Sequence, residues 1–215
     1  MAKAAPGIPA ITAVAPEHLA LAVRHLRRAD PALARVIDAV GPCTYCDRNR
    51  PPFESLVSTI IDQQLSVKAA ATIRGRVLAL FPGKRFPTPA AVLAASDAAL
   101  LGAGLSRNKL AAIRDLAAKT IDGTVPTRRA MAKLTDAEIL ERVTRVKGVG
   151  QWTAELLLLH LGRPDVFPVG DLVLRRNAGR ALGLPAPPTA EELLVLGEPW
   201  RPWRSIASWY LWRAP

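Results

Sequence analysis

Along most of the chain, apolar residues recur every three or four positions, the spacing of a helix that buries one face. After Pro16, residues Glu17 to Arg28 put Leu19, Val23 and Leu26 on one side and Arg24, Arg27 and Arg28 on the other. Ala32 to Val40 is a second predicted helix, opened by Pro31 and stopped by Gly41-Pro42. Cys43 to Pro52 reads as a loop. Phe53 to Leu65 and Val67 to Phe81 follow as helices, the latter carrying Ala70, Ile73, Val77 and Leu80 before Pro82-Gly83 ends it. Thr88-Pro89 opens a short helix to Ala95, and Ser96 caps another to Leu101. Ser106 to Ile121 carries Leu110, Ile113 and Leu116 inward, and Thr135 to Val146 begins with a capping box, Thr135-Asp136-Ala137-Glu138. Gln151 to Leu161 is almost wholly apolar in its later turns, which predicts a central, buried helix. Asp171 to Leu182, Thr189 to Leu196 and Trp203 to Arg213 complete the set. Period-two runs and Asn-Gly turns are nearly absent, so the expectation is an all-α domain of about ten or eleven helices with short loops.

Half of the 215 residues are hydrophobic, enough for a core without staples or metals. The formal net charge of +11, from 29 Lys+Arg against 18 Asp+Glu, favours a polyanionic partner, either nucleic acid or an anionic membrane surface. No apolar stretch approaches the roughly 20 residues that cross a bilayer, and Pro6 and Pro9 interrupt any signal-peptide core. A cytoplasmic, nucleoid-associated protein without membrane partners is therefore expected. Cys43 and Cys46 form the one C-x-x-C. A zinc site would need two more ligands, and His18, His25 and His160 lack metal spacing. Two reduced thiols in a loop are the simpler reading.

Two segments carry candidate chemistry. Arg145-Val146-Lys147-Gly148-Val149-Gly150-Gln151-Trp152 stands between two predicted helices. Glycines at 148 and 150 permit unusual backbone angles and let a foreign backbone come close. The amides of Gly150, Gln151 and Trp152 would point out of a helix start, where anions bind, with Lys147 beside them and Val149 tucked between the helices. A plain turn with a glycine C-cap explains the same letters. Further on, Asp171 stands at a helix start. It reads either as an ordinary N-cap or as a carboxylate favoured by the positive helix end and set beside a reactive sugar.

Lys147-Gly148-Val149-Gly150-Gln151-Trp152-Thr153-Ala154-Glu155, followed by Asp171, resembles the helix-hairpin-helix DNA glycosylase superfamily. Ile60-Ile61-Asp62-Gln63-Gln64-Leu65-Ser66 and Pro202-Trp203-Arg204-Ser205 narrow the resemblance to its 3-methyladenine DNA glycosylase II branch, over about Pro52 to Trp212. The resemblance implies a two-lobed helical domain with an active-site cleft between the lobes. One helical lobe would span about 53–134 and a hairpin-containing lobe about 135–182. The helices of 189–213 would pack back, and residues 1–15 would form a flexible N-terminus. It implies Asp171 as the catalytic carboxylate, Gln64 or less readily Gln63 as the wedge that fills the gap of a flipped nucleotide, and Trp212 as an aromatic of the base pocket. The hairpin, with Lys147, Gly148, Val149, Gly150 and Gln151, would grip a phosphate. The carbonyls of Thr144, Val146 and Val149 would hold a structural monovalent cation. Trp152 stands where strand-cutting members carry a lysine, and an indole forms no Schiff base. The four clustered cysteines of iron–sulfur members are missing, as is the extra N-terminal sheet domain of some members, which would leave the pocket more open.

An alkylated purine is cationic and leaves readily, so the enzyme must supply flipping, orientation and stabilisation of an oxocarbenium-like sugar. One carboxylate serves the last need, and the electron-rich rings of Trp152 and Trp212 would attract the cationic base. Trp200, Trp203 and Trp209 read instead as packing. For holding the strand Lys147 is best placed, Arg107, Asn108 and Lys109 at a helix start are weaker candidates, and Arg175 and Arg176 would instead pair with acids inside the domain. Acting as a monomer, the enzyme would bind damaged double-stranded DNA and remove the base hydrolytically in base excision repair. A non-catalytic DNA-binding hairpin module and a bifunctional glycosylase for oxidised bases are the rivals.

Overall fold

The computed structural model describes residues 13–83 and 86–215. Most of the flexible N-terminus expected at 1–15 lies outside them. Among the described residues all regular structure is helical. It comprises α1 (Pro16–Ala29), α2 (Pro31–Val40), α3 (Pro52–Asp62), α4 (Val67–Ala79), α5 (Pro89–Ala94), α6 (Asp97–Gly102) and α7 (Arg107–Ile121). After these come α8 (Arg128–Met131), α9 (Asp136–Val143), α10 (Gln151–His160), α11 (Leu172–Ala181), α12 (Ala190–Leu196), a 3-10 turn (Glu198–Trp200) and α13 (Arg204–Leu211). No helix among the described residues is long and apolar enough to cross a membrane.

Helix starts are written in short polar side chains. Ser66, Thr88, Ser96, Ser106, Thr127, Thr135 and Thr189 each accept a backbone N–H three residues on. The Thr135 capping box forms as predicted, Glu138 Oε2 taking the Thr135 N–H at 2.7 Å.

The chain divides into two compact units, residues 1–49 with 158–215 and residues 50–157. In the unit of 50–157, α7 packs on α3, α5 and α6, and buries Leu110, Ile113, Leu116 and Ala117 against Leu56, Ile60, Val92 and Leu100. In the other unit, α13 packs on α1, α2 and α11 over a core containing Leu26, Leu33, Leu174, Trp200, Trp203 and Tyr210. The division falls within α10, after Leu157. The hairpin thus shares a unit with α3 to α9, whereas the sequence groups it with 135–182. The reason is local: α7 holds the hairpin, as described below.

Three further differences matter. α3 ends at Asp62 rather than Leu65, so Gln63 and Gln64 occupy a turn instead of a helix. α9 ends at Val143 rather than Val146, which lengthens the hairpin turn. The four-residue α8 is too short to show a period and is missed in the sequence. Cys43 and Cys46 are free thiols; burial pushes the Cys43 thiol up, against opposing contributions from the Tyr45 N–H and Arg213.

Candidate active site and phosphate-binding hairpin

Residues 144–150 link α9 to α10. Val146 and Val149 are buried, and the Val149 N–H donates to the Val146 carbonyl at 3.0 Å, closing the turn. Gly148 has φ +73°, and a Cβ there would stand 3.3 Å from the Ala112 Cβ of α7. Both the backbone angle and the close approach therefore require glycine. Gly150 departs from expectation, for its φ lies outside the left-handed region and a Cβ on it would meet nothing within 4 Å. Its missing side chain serves nothing inside the unit and instead leaves open space at the start of α10.

One α-helical turn beyond Ala112, Asp115 secures the same hairpin. Its Oδ2 accepts the Lys147 N–H at 2.7 Å, while both carboxylate oxygens accept Lys119 Nζ at 2.6 and 2.7 Å. Partial burial raises the Asp115 carboxyl, but these hydrogen bonds outweigh it and hold the group below the usual aspartate range. Its contribution to stability is therefore present above the ordinary carboxylate range and is lost as pH falls through the lowered value. Asp115 is missing from the sequence reading. Its i,i+4 spacing to Lys119 looks like a routine surface pair, and nothing local signals a partner 32 residues away.

At the start of α10, the Ala154 N–H donates to the Gly150 carbonyl at 3.1 Å. Gln151 is exposed on this turn and donates its Nε2 to Oε1 of buried Glu155 at 2.8 Å. Burial pushes the Glu155 carboxyl up, with the Gln151 bond opposing. Trp152 is 38% exposed on this first turn, and Lys147 is exposed beside it in the turn.

Near the same hairpin, the structure redistributes three residues. Gln63 donates Nε2 to the Gly148 carbonyl (3.3 Å) and to Thr153 Oγ1 (3.1 Å), so its polar end is engaged inside the unit. Gln64 is exposed, with φ +55°. Lys109 does not face outward as a strand-holding cation: its Nζ donates to the carbonyls of Ile61 (2.6 Å) and Gln63 (2.8 Å).

In the other unit, Asp171 is half-buried at the N-cap of α11. Its Oδ1 accepts the Leu174 N–H at 2.7 Å and the Trp212 indole N–H at 3.2 Å. The capping role and the pairing with Trp212 thus coexist on one oxygen. The segment leading to Asp171 is tightly held. Arg204 donates Nε to Asp165 Oδ1 (2.7 Å) and Nη2 to Oδ2 (2.8 Å), and Arg201 donates Nη1 to Oδ2 (2.6 Å). Ser205 Oγ accepts the Val166 N–H at 2.8 Å, and its own N–H donates to the Pro164 carbonyl at 3.0 Å. Pro202-Trp203-Arg204-Ser205 is therefore a clamp on 164–166. Trp200 and Trp203 are fully buried and Trp209 is half-buried, edge-on to Tyr210, which agrees with packing roles. Arg175 donates to the Pro188 carbonyl (2.7 Å) rather than to an acid.

Residues 57–202 match the family described as "HhH-GPD superfamily base excision DNA repair protein". The chain is similar to DNA-3-methyladenine glycosylase 1 of Schizosaccharomyces pombe, 34% identical over 88% of this chain and 84% of that one. It is also similar to the alkylbase DNA glycosidase-like protein mag2 of the same yeast, 31% identical over 90% and 92% of the two chains. The solved structure of the S. pombe 3-methyladenine DNA glycosylase Mag1 in complex with abasic DNA superposes with a TM-score of 0.83. It covers 90% of this chain and 95% of that one at 33% identity. The family match, the helical fold and the hairpin followed by a capping aspartate agree, and the chain belongs to the HhH-GPD superfamily of base excision DNA repair proteins.

Proposed function

We propose that this protein is a monofunctional DNA glycosylase that flips alkylated purines, 3-methyladenine among them, out of duplex DNA and hydrolyses the N-glycosidic bond. The observation that carries the reading is the half-buried Asp171 carboxylate with the Trp212 indole on its Oδ1, in a chain related to 3-methyladenine glycosylases. As the bond from the sugar C1′ to the base nitrogen breaks, its electron pair leaves with the base and the sugar becomes cationic. A fixed carboxylate stabilises that charge, and water then closes on C1′, releasing a proton. An alkylated purine already carries the positive charge that makes it leave, so no strong general acid is needed. The hydrogen bond from the Trp212 indole to the carboxylate supports reading its electron-rich ring as a surface for such a base.

The hairpin supplies the grip. Lys147, Gly148, Val149, Gly150 and Gln151 offer a cation, an open backbone and helix-start amides to a phosphate. Neutral carbonyls at Thr144, Val146 and Val149 suit a monovalent cation; the Val146 oxygen uses one lone pair on the Val149 N–H and keeps another. Such an ion would add positive charge to the hairpin.

The two hairpin glycines separate folding from DNA binding. Gly148→Ala forces a Cβ residue into the left-handed region, costing about 1–2 kcal/mol, and crowds Ala112, so thermal stability and DNA affinity should both fall. Gly150→Ala has room and ordinary backbone angles, so melting should stay unchanged while affinity for duplex DNA drops. Unaltered affinity for Gly150→Ala would move the phosphate contact elsewhere. The activity itself is tested with duplexes each carrying one defined lesion, assayed for free base: alkylated purines should be released and oxidised bases retained. Release confined to oxidised bases would overturn the assignment.

A further inference from the structure

The turn that carries Gln64 is held from several sides. Arg74 of α4 pairs with Asp62, Nη1 2.8 Å from Oδ1, and Ser66 caps α4 through the Ala69 N–H at 3.3 Å. Lys109 reaches from α7 to the carbonyls of Ile61 and Gln63 at the open C-terminal end of α3, where a cation is favoured. Burial lowers the Lys109 ammonium from its ordinary value, with Asp62 opposing. Gln63 then spends one amide nitrogen on two acceptors, the Gly148 carbonyl in the hairpin and Thr153 Oγ1 in the first turn of α10. The adjacent Gln64 stays exposed at φ +55°, a backbone state that a residue with a Cβ keeps only where its surroundings hold it.

We propose that Gln63 and Lys109 are positioning residues that join the wedge turn and the phosphate-gripping hairpin into one rigid piece, so that the site gripped on the backbone fixes where Gln64 enters the base stack. The proposal rests on the reading of Gln64 as wedge and of the hairpin as phosphate site. Insertion stabilises the extrahelical nucleotide only when the wedge arrives in register with it. A turn ordered before contact loses no further conformational freedom during flipping.

A double-mutant cycle tests the coupling, with duplexes containing a tetrahydrofuran abasic analogue and undamaged duplexes of the same sequence as probes. Gln64→Ala should weaken abasic-duplex binding more than undamaged-duplex binding. Gln63→Ala should lower the abasic-to-undamaged affinity ratio by about tenfold, the size of a lost hydrogen bond pair. In the Gln64→Ala background the same change should add less than about twofold, because the piece it positions is already gone. Lys109→Met should follow Gln63→Ala, and Lys109→Arg, which still spans two carbonyls, should recover most of the loss. Because each value is a ratio of two affinities for one preparation, a partly unfolded fraction cancels, and the Arg variant keeps the test informative should the Met variant not fold.

Penalties that multiply across the cycle, or a Gln63→Ala loss equal on both duplexes, would overturn the coupling while the wedge stands. Gln64→Ala without effect on abasic binding would remove the wedge itself, and the positioning role with it.

Discussion

Asp171→Asn should abolish most base release while leaving the fold and DNA binding in place. Asparagine caps a helix as well as aspartate does, and its carbonyl oxygen can accept both the Leu174 N–H and the Trp212 indole N–H. What is removed is the negative charge that would face the developing oxocarbenium. Loss of one preorganised electrostatic contact costs about 10²–10³-fold in the chemical step, and a loss in that range is expected here. Single-turnover release of free base, measured with protein in excess, reads this step alone. Thermal melting and affinity for an abasic duplex should stay close to wild type. Unchanged release would reduce Asp171 to a cap and favour a DNA-binding module without catalysis.

Arg204→Leu should produce the largest loss of stability. Arg204 is 8% exposed, holds Asp165 through both carboxylate oxygens and lies over the Phe167 ring at 5.7 Å. Removing one partner of a buried pair leaves an uncompensated charge and costs about 3–5 kcal/mol. Asp165 is partly exposed and keeps Arg201 as a second partner, so the lower end of that range, about 3 kcal/mol, is expected. For a chain of this size that corresponds to a melting temperature lower by about 6–12 °C. Base release should fall as well, because Asp165 anchors the segment that runs to Asp171. Arg204→Lys keeps the charge but loses the fork, and should lie between the two. A melting temperature within a degree of wild type for Arg204→Leu would show that the clamp does not hold this segment.

The helices were legible because caps and apolar spacing agreed. Thr135 with Glu138 and Ser106 with its apolar stripe each define a start without tertiary help. Asp171 was legible as a cap and, through resemblance, as a candidate catalyst, while its bond to Trp212 joins residues 41 apart and leaves no local trace. The roles of Gln63, Lys109 and Asp115 were illegible for the same reason. Each looks like an ordinary polar residue on its own helix or turn, and its meaning comes from a backbone group of a distant segment. Lys109 shows the pattern well: a basic residue in the first turn of a helix suggests a phosphate contact, yet its ammonium reaches back to the end of α3. Gly148 and Gly150 look equivalent in sequence, and only packing against Ala112 distinguishes the one required for folding from the one that leaves space. Pro202-Trp203-Arg204-Ser205 signalled kinship before its structural task was visible, because that task is performed on residues 164–166.

Simple hydrolytic release, with no covalent step, is best tested by counting free base and strand ends in one tube, using wild-type protein, a duplex with a single alkylated purine, and borohydride. One free base should appear per abasic site formed, with the strand intact until alkali is added and no protein trapped on DNA. A borohydride-trapped complex with strand scission, or intact bases throughout, would contradict it.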